Sequence, residues 1–387
     1  MRVALIDPSL FTLPYDAALV AGMHAEGHNV VLHGRQPGTD DNDASDVPLR
    51  HSFYKLMAAP WTRRLPRPVG LAMKGADHIW SMQRLVRHLH LQRPDVIHFQ
   101  WLALPVVDRR FLGALRRIAP LVLTVHDTNP FNGNPSGHLQ KIGARAAFRD
   151  FDRLIVHTEQ GRARLIAHGE AADRVALMPH GLLGRAPPAA AADTMLGEIT
   201  FLLFGKIKPY KGADLLIEAF ARMPAALRQQ SKLRIVGKPY MDIVPLQDMA
   251  SRLLVADRVE WETRFVGDDE VGAIFRPGVI ATFPYREIEA SGVLSLAVRH
   301  GRPVLAAQLG GFTETVTDGR HGLLVPPEDV AALSDAMTRF VVDRPFTASC
   351  AAAVQALTGT VPSWQEIARR TIDLYKTLPR STTQSVA

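Results

Sequence analysis

Three stretches between residues 204 and 333 carry residue types whose spacing suits a phosphorylated, hydroxyl-rich ligand. In FGKIKPYKGADLLIEAF (204–220) an apolar run ends at Gly205, lysines follow at Lys206 and Lys211, and Gly212 opens a helical pattern. Free N–H groups and the dipole of a helix start favour phosphate, and two ammonium groups would neutralise a diphosphate. Without such a ligand the pair reads as solvated lysines. In REIEASGVLSLAVRHGRPVLA (286–306), Ser291, Gly292 and Val293 stand where a helix begins, offering further backbone donors, while Glu287 and Glu289 can accept from sugar hydroxyls. The same residues also read as an N-cap with first-turn carboxylates. In QLGGFTETVTDGRHGLLVPPEDVAAL (308–333), Gly310-Gly311 allows backbone to approach a ligand closely and Glu314 lies one helical turn beyond. Any tight strand-to-helix turn would use the same glycines.

Other chemistry-bearing residues are more scattered. His98, His157 and His180 fall at the ends of apolar runs and read as satisfied structural histidines. Asp41-x-Asp43 lies in an acidic loop and Asp150-x-Asp152 precedes a strand, so neither places oxygen ligands at a ligand-facing end. His24-x3-His28 lacks a third ligand, and Gly27 ends its helix, so no protein-bound metal is expected. Cys350 is the single cysteine, which excludes an intramolecular disulfide and a CxxC framework.

The elements that position these residues alternate between short apolar runs and amphipathic segments, the pattern of parallel α/β sheets. Strands are expected at 2–6, 29–33, 95–99, 121–125, 153–157 and 175–179, with helices at 17–25, 77–91, 109–118, 139–149 and 160–167. GRAPPAAAAD (184–193) breaks the periodicity and reads as a linker. The pattern restarts with strands at 199–204, 233–236, 258–262, 279–283, 303–306 and 322–325, and helices at 213–223, 246–255, 292–300 and 330–341. A last amphipathic segment spans 364–378. These runs predict two Rossmann-like, doubly wound domains, 1–185 and 196–362, with 363–378 packing back on the first and a cleft between them.

Length and composition agree. The chain has 387 residues, 47% hydrophobic and 21% charged, with no run of ~18 uncharged apolar residues and no leader-like h-region before Pro14. A cytoplasmic location is expected. The net charge of +7 lies wholly in residues 1–190, which carry 23 Lys and Arg against 16 Asp and Glu. Residues 50–93 alone hold nine basic residues and one acid, Asp77, interleaved with Phe53, Leu56, Met57, Trp61, Leu71 and Trp80. That composition suits an interfacial segment on an anionic membrane, or solvated arginines on ordinary helices.

The three stretches of the second half together resemble the nucleotide-binding domain of a GT-B glycosyltransferase of family 4 (group 1), which has G-R/K…K-G, E-x7-E and G-G-x-x-E in this order. The resemblance implies that Lys206 and Lys211 hold a donor diphosphate and that the glycine turn lines the sugar pocket. Two departures stand out. Lys206 replaces the usual Arg, and aligning Gly301-x-Pro303 with the family's G-x-P puts its two acids at Ile288 and Leu296, leaving Glu289 or Glu287 for the sugar. In the first half PDVIHFQW, LTVHDTNP, RLIVHTE and VALMPHG match more loosely, and the resemblance implies that His126 meets the donor sugar, with Asp127 beside it. The family's Gly-rich loop after strand one is replaced by DPSLFTLPYDAAL (7–19), where Asp16 is either a base for the acceptor or a helix N-cap.

The resemblance implies transfer of a sugar from a nucleoside diphosphate-sugar to an acceptor hydroxyl, without a metal. If configuration is retained, His126 orients the sugar; if it is inverted, Asp127 or Asp16 is the base. Joined to the basic segment, it implies a lipid-linked saccharide acceptor at the inner membrane face, in polysaccharide assembly. A non-catalytic nucleotide-sugar binder or partner subunit is the alternative, and sugar-nucleotide epimerisation or hydrolysis ranks below it. Nucleic acid is not an expected partner, since no reader module is present.

Overall fold

The computed structural model describes residues 1–38, 41, 47–128, 143–185 and 197–379, the Arg63 side chain excepted. Asp43, most of the 184–193 linker, residues 139–142 of one expected helix and the chain beyond Pro379 lie outside the described residues. Two compact units form, one from Met1–Gly181 with the segment from Pro362, the other from Leu182–Val361.

The first unit is built on β1 (Arg2–Ile6), β2 (Asn29–Gly34), β3 (Leu49–His51), β4 (Val96–Phe99), β5 (Leu121–Thr124), β6 (Arg153–Val156) and β7 (Val175–Leu177). They pair in the order β3-β2-β1-β4-β5-β6-β7, and every pair is parallel. Both faces are covered, which is why the strands read as unbroken apolar runs. Val3 and Leu5 enter one core with Leu19, Val20 and Ile367, while Ala4 and Ile6 enter the opposite core with Met82, Leu85 and Phe99. The short strand β3 escaped the sequence reading because three residues, two of them Arg50 and His51, carry no periodicity.

In the second unit β8 (Ile199–Phe204), β9 (Ser231–Val236), β10 (Val259–Glu262), β11 (Val279–Phe283), β12 (Val304–Ala307) and β13 (Gly322–Val325) pair in the order β10-β9-β8-β11-β12-β13, again all parallel. Both sheets therefore have a topological switch point, β1/β4 in the first and β8/β11 in the second, where successive connections leave in opposite directions. Ligands of open parallel sheets bind at the carboxyl ends of such strands.

Helix boundaries differ from the sequence reading in two informative places. The first helix is Leu13–Ala25 with Thr12 as N-cap, four residues earlier than expected, because Pro14 fits a first turn where no intrahelical N–H is needed. Asp16 is thus inside the helix and is not its cap. The helix Arg67–Gln92 likewise begins ten residues before the expected start and absorbs much of the basic segment. The last helix, Trp364–Lys376, packs against Leu13–Ala25 within the first unit, burying Ile367, Ala368, Ile372 and Tyr375.

Candidate functional site

At the second switch point the three singled-out stretches meet. Gly205, just past β8, has φ +93°, and a Cβ there would lie 3.0 Å from Lys211 Nζ and 3.2 Å from Val293 Cγ2. Lys211 ends a 3-10 turn, Pro209–Lys211, and Gly212 follows at φ +67° with its Cα so close to the loop after β11 that a Cβ would lie 2.0 Å from the Pro284 carbonyl. That close approach is what fixes Gly212 as glycine. Arg286 staples the same segments, donating to both Asp214 carboxylate oxygens at 3.0 and 2.6 Å and to the Pro209 carbonyl at 2.9 Å, while its N–H donates to the Tyr210 carbonyl.

Lys211 is buried, and its ammonium donates to the Phe204 carbonyl at 3.0 Å above the Tyr285 ring. Burial, with the ammonium groups of Lys206 and Lys208 nearby, pulls it down to about 7. Lys208, which the sequence reading did not single out, is half-buried and also shifted down by burial. Lys206 and Lys208 both lie over the Tyr240 ring, at 6.0 and 5.8 Å. Three cations thus gather at one strand end, one of them desolvated, an arrangement whose charge a bound anion would offset.

Ser291 caps the helix Gly292–Arg299, its hydroxyl accepting from the Leu294 N–H at 3.3 Å. Glu287 is exposed and Glu289 buried, and both precede the helix, so the expectation of first-turn carboxylates is corrected by one turn. Gly310 and Gly311 open a short helix, Gly310–Thr315, with Glu314 exposed near its end. A Cβ on Gly310 would lie 2.2 Å from the Ile288 carbonyl, and the Gly311 N–H donates to the Glu289 carbonyl at 2.7 Å. Gly310 thus makes a close approach to the chain's own backbone, and the pair holds the backbone of Glu289. Ile288 and Leu296, at the family's acidic positions, are half-buried apolar residues.

In the first unit the carboxyl ends of β4 to β7 hold a chain of histidines. His157 Nδ1 lies 3.0 Å from the Met178 carbonyl, which can only accept, so that nitrogen carries hydrogen. Burial pushes His157 down to about 3, so the ring is neutral and its Nε2 accepts from His126 Nδ1 at 3.2 Å. His126 Nε2 is then an acceptor facing Gln100 Oε1 at 3.1 Å, which requires the amide to be turned so that its NH2 donates. Its oxygen then faces His98 Nε2, 3.4 Å away, whose Nδ1 accepts from the Tyr375 hydroxyl at 2.5 Å. His126, half-buried and held well below its ordinary value by burial and by His157, His180 and His98, has both ring nitrogens engaged. His98 and His157 have both ring nitrogens hydrogen-bonded, and His180 donates from Nδ1 to the Gly181 carbonyl at 2.8 Å. Tyr15 packs its ring against His126, His157, His180 and Trp364. Asp127 is half-buried beside His126.

Asp16 is fully buried, and its carboxyl faces the Thr12 hydroxyl at 3.3 Å and, through it, Asp7. Burial and the neighbouring Asp7 carboxylate push Asp16 well above the usual carboxylate range. Among the described residues no three His, Cys, Asp or Glu side chains are placed so that they could hold a metal ion together.

Residues 14–181 match the glycosyl transferase 4-like domain, and residues 198–343 the family described as glycosyl transferases group 1. The chain is 32% identical over 308 residues to the D-inositol 3-phosphate glycosyltransferase of Streptomyces scabiei (strain 87.22), covering 73% of this chain and 67% of that one. It spans about two thirds of the length of such relatives. It is 28% identical over 402 residues to the glycogen synthase of Mycobacterium tuberculosis (strain H37Rv), covering 95% and 91%. Among solved structures, Anabaena Alr3699/HepE in complex with UDP and glucose superposes with a TM-score of 0.76 at 18% identity, covering 98% of this chain and 100% of that one. At that identity the likeness is one of fold.

Proposed function

The chain belongs to the group 1 glycosyltransferases of the GT-B fold, and on that premise we propose that it moves a sugar from a nucleoside diphosphate-sugar to an acceptor hydroxyl, with the diphosphate held at Lys206, Lys208 and Lys211. The observation that carries this reading is Lys211: a desolvated ammonium with two further ammonium groups beside it, at the switch point of the second sheet. A diphosphate leaving group would repay that desolvation, and its developing charge would be met by preorganised cations and by the helix starts at Ala213 and Gly292. Glu289, whose backbone the Gly310-Gly311 turn holds, is the carboxylate we assign to a donor-sugar hydroxyl, with Ser291, Val293 and Glu314 as further candidates. The protein needs no metal in this scheme, because the lysines neutralise the phosphates.

His126 and Asp127, just past the end of β5, are the first unit's candidates for a part in the reaction. With both His126 nitrogens engaged, the ring meets a sugar by giving up its bond to Gln100, whose amide then serves as the second partner. Asp127 is the base if configuration is inverted. Asp16, buried beside Asp7, is the other candidate for that base.

For the acceptor we propose a saccharide on a lipid carrier. Trp61, Leu71 and Trp80 are all about half exposed on the Pro60–Arg64 turn and the helix Arg67–Gln92, among Arg64, Arg67, Arg84 and Arg87. Apolar side chains left in water beside arginines fit an anionic bilayer surface. No helix among the described residues is long and apolar enough to cross a membrane. In flotation assays, vesicles containing phosphatidylserine should carry the protein up and neutral vesicles should not, and salt should release it; equal recovery with both would remove the membrane part of the proposal.

The donor site is tested by a thermal-shift panel of UDP, GDP, ADP, TDP and their sugar conjugates on wild type and Lys211→Ala. One diphosphate should raise the melting temperature of wild type and leave the variant unmoved. Stabilisation without transfer to any lipid extract would favour the non-catalytic binder, and no stabilisation of either protein would end both readings.

A further inference from the structure

Four neighbouring strands of the first sheet, β4 to β7, each place one residue within two positions of their carboxyl ends: Gln100, His126, His157 and Met178. Parallel strands lie ~4.8 Å apart, a gap that an imidazole spans with one nitrogen on either side. The four groups therefore form one row across the sheet. The Met178 carbonyl lies 3.0 Å from His157 Nδ1, His157 Nε2 lies 3.2 Å from His126 Nδ1, and His126 Nε2 lies 3.1 Å from the Gln100 amide.

A neutral imidazole has one nitrogen that donates and one that accepts, so each ring hands the direction of its bonds to the next. Burial holds His126 and His157 well below the ordinary histidine value, His157 at about 3, and both rings are neutral near pH 7. The Met178 carbonyl, which can only accept, then sets the sense of the whole row: hydrogen on His157 Nδ1 and a lone pair on its Nε2, hydrogen on His126 Nδ1 and a lone pair on His126 Nε2. That carbonyl is itself held in place, since the Met178 N–H donates to the Val156 carbonyl at 2.9 Å. The rings cannot turn over and exchange their nitrogens without moving Tyr15, whose buried ring packs on His126 at 4.9 Å and on His157 at 5.0 Å. His180, a third ring against Tyr15, gives its Nδ1–H to the Gly181 carbonyl and stands outside the row.

We infer that His157 is a positioning residue: its single N–H, given to the Met178 carbonyl, fixes His126 as the tautomer with a lone pair at Nε2, so that His126 accepts hydrogen from a sugar hydroxyl. The inference deepens the proposed function and rests on it for the sugar. Nε2 in this state matches a hydroxyl, which can donate, and disfavours a carboxylate or ether oxygen, which meets it lone pair to lone pair. With His157 replaced by an apolar side chain, the His126 Nδ1–H would lose its acceptor. The ring relieves this by carrying its hydrogen on Nε2, against the Gln100 oxygen.

Proton–nitrogen correlation spectra of the full chain, labelled at the histidine rings, show which nitrogen of each ring carries hydrogen in wild type, in His157→Leu and, as a packing control, in His180→Leu. His126 should carry hydrogen on Nδ1 in wild type and in His180→Leu, and on Nε2 in His157→Leu. Hydrogen on His126 Nε2 in wild type overturns the inference whether or not either variant folds, and so does an unchanged Nδ1–H in His157→Leu. His157→Leu should also lose about tenfold in affinity for whichever of UDP-, GDP-, ADP- and TDP-glucose binds wild type, the worth of one hydrogen bond to a buried group, and keep its affinity for the bare diphosphate. Equal loss for both would make His157 a structural residue alone and overturn the inference. Failure of all four to bind wild type would fall on the proposed function, while the ring spectra, taken without ligand, still decide what sets the His126 tautomer.

Discussion

Lys211 shows how one buried cation writes opposite pH dependences into stability and binding. Its folded value near 7 lies below the ordinary lysine value of 10.5, so between these limits the unfolded chain holds more protons and the free protein gains stability as pH rises. Diphosphate binding requires the ammonium and takes up a proton, so affinity should weaken above pH 7, toward tenfold per pH unit. Calorimetric titration of the stabilising diphosphate between pH 6 and 9 checks this, and an affinity flat across that range would refute it. In Lys211→Met the pH-dependent gain in stability should disappear along with nucleotide stabilisation. Lys206 and Lys211 stand out in the sequence by local chemistry, a strand end followed by cations and a helix start. Lys208 and the bonding state of His126 were not, because they depend on Tyr240 and on Gln100 and His157, brought in from other strands.

At the scale of elements, glycines decide how closely the loops of the second unit pack. Gly310 combines φ +46° with a carbonyl 2.2 Å from where a Cβ would sit, whereas Gly27 at φ +78° has nothing within 4 Å. Gly27→Ala should therefore cost about 1 kcal/mol of backbone strain alone. Gly310→Ala should cost about 3 kcal/mol and, by displacing Glu289, weaken sugar-nucleotide binding more than binding of the bare diphosphate. Denaturant midpoints and the ratio of the two affinities separate these effects. The sequence showed a glycine pair at a turn, but its packing partner, Ile288–Glu289, lies some twenty residues away and only the fold joins them.

For the whole molecule, the segment from Pro362 belongs to the first unit although it follows the second in the chain. Ile367, Ile372 and Tyr375 are each no more than 2% exposed, and burial of each such side chain is worth roughly 1.5–3 kcal/mol, a large share of the ~5–15 kcal/mol that holds a domain together. Truncation at Pro362 should unfold the first unit and leave the second unit's melting transition and its nucleotide response in place; a single unaltered transition would contradict this.

The strand runs, the restart near residue 199, the lysines after β8 and the cap at Ser291 were determined by the sequence itself, because apolar runs, helix starts and charge are properties of neighbours in the chain. Tertiary structure alone decided that Asp16 is buried beside Asp7, that His126 spends both nitrogens on the protein, that Gly310 meets backbone, and that His157 meets the Met178 carbonyl. The last three depend on which strand lies beside which, and strand order is set by packing two faces of a sheet at once; the first depends on how the loop and helix after β1 fold against that sheet.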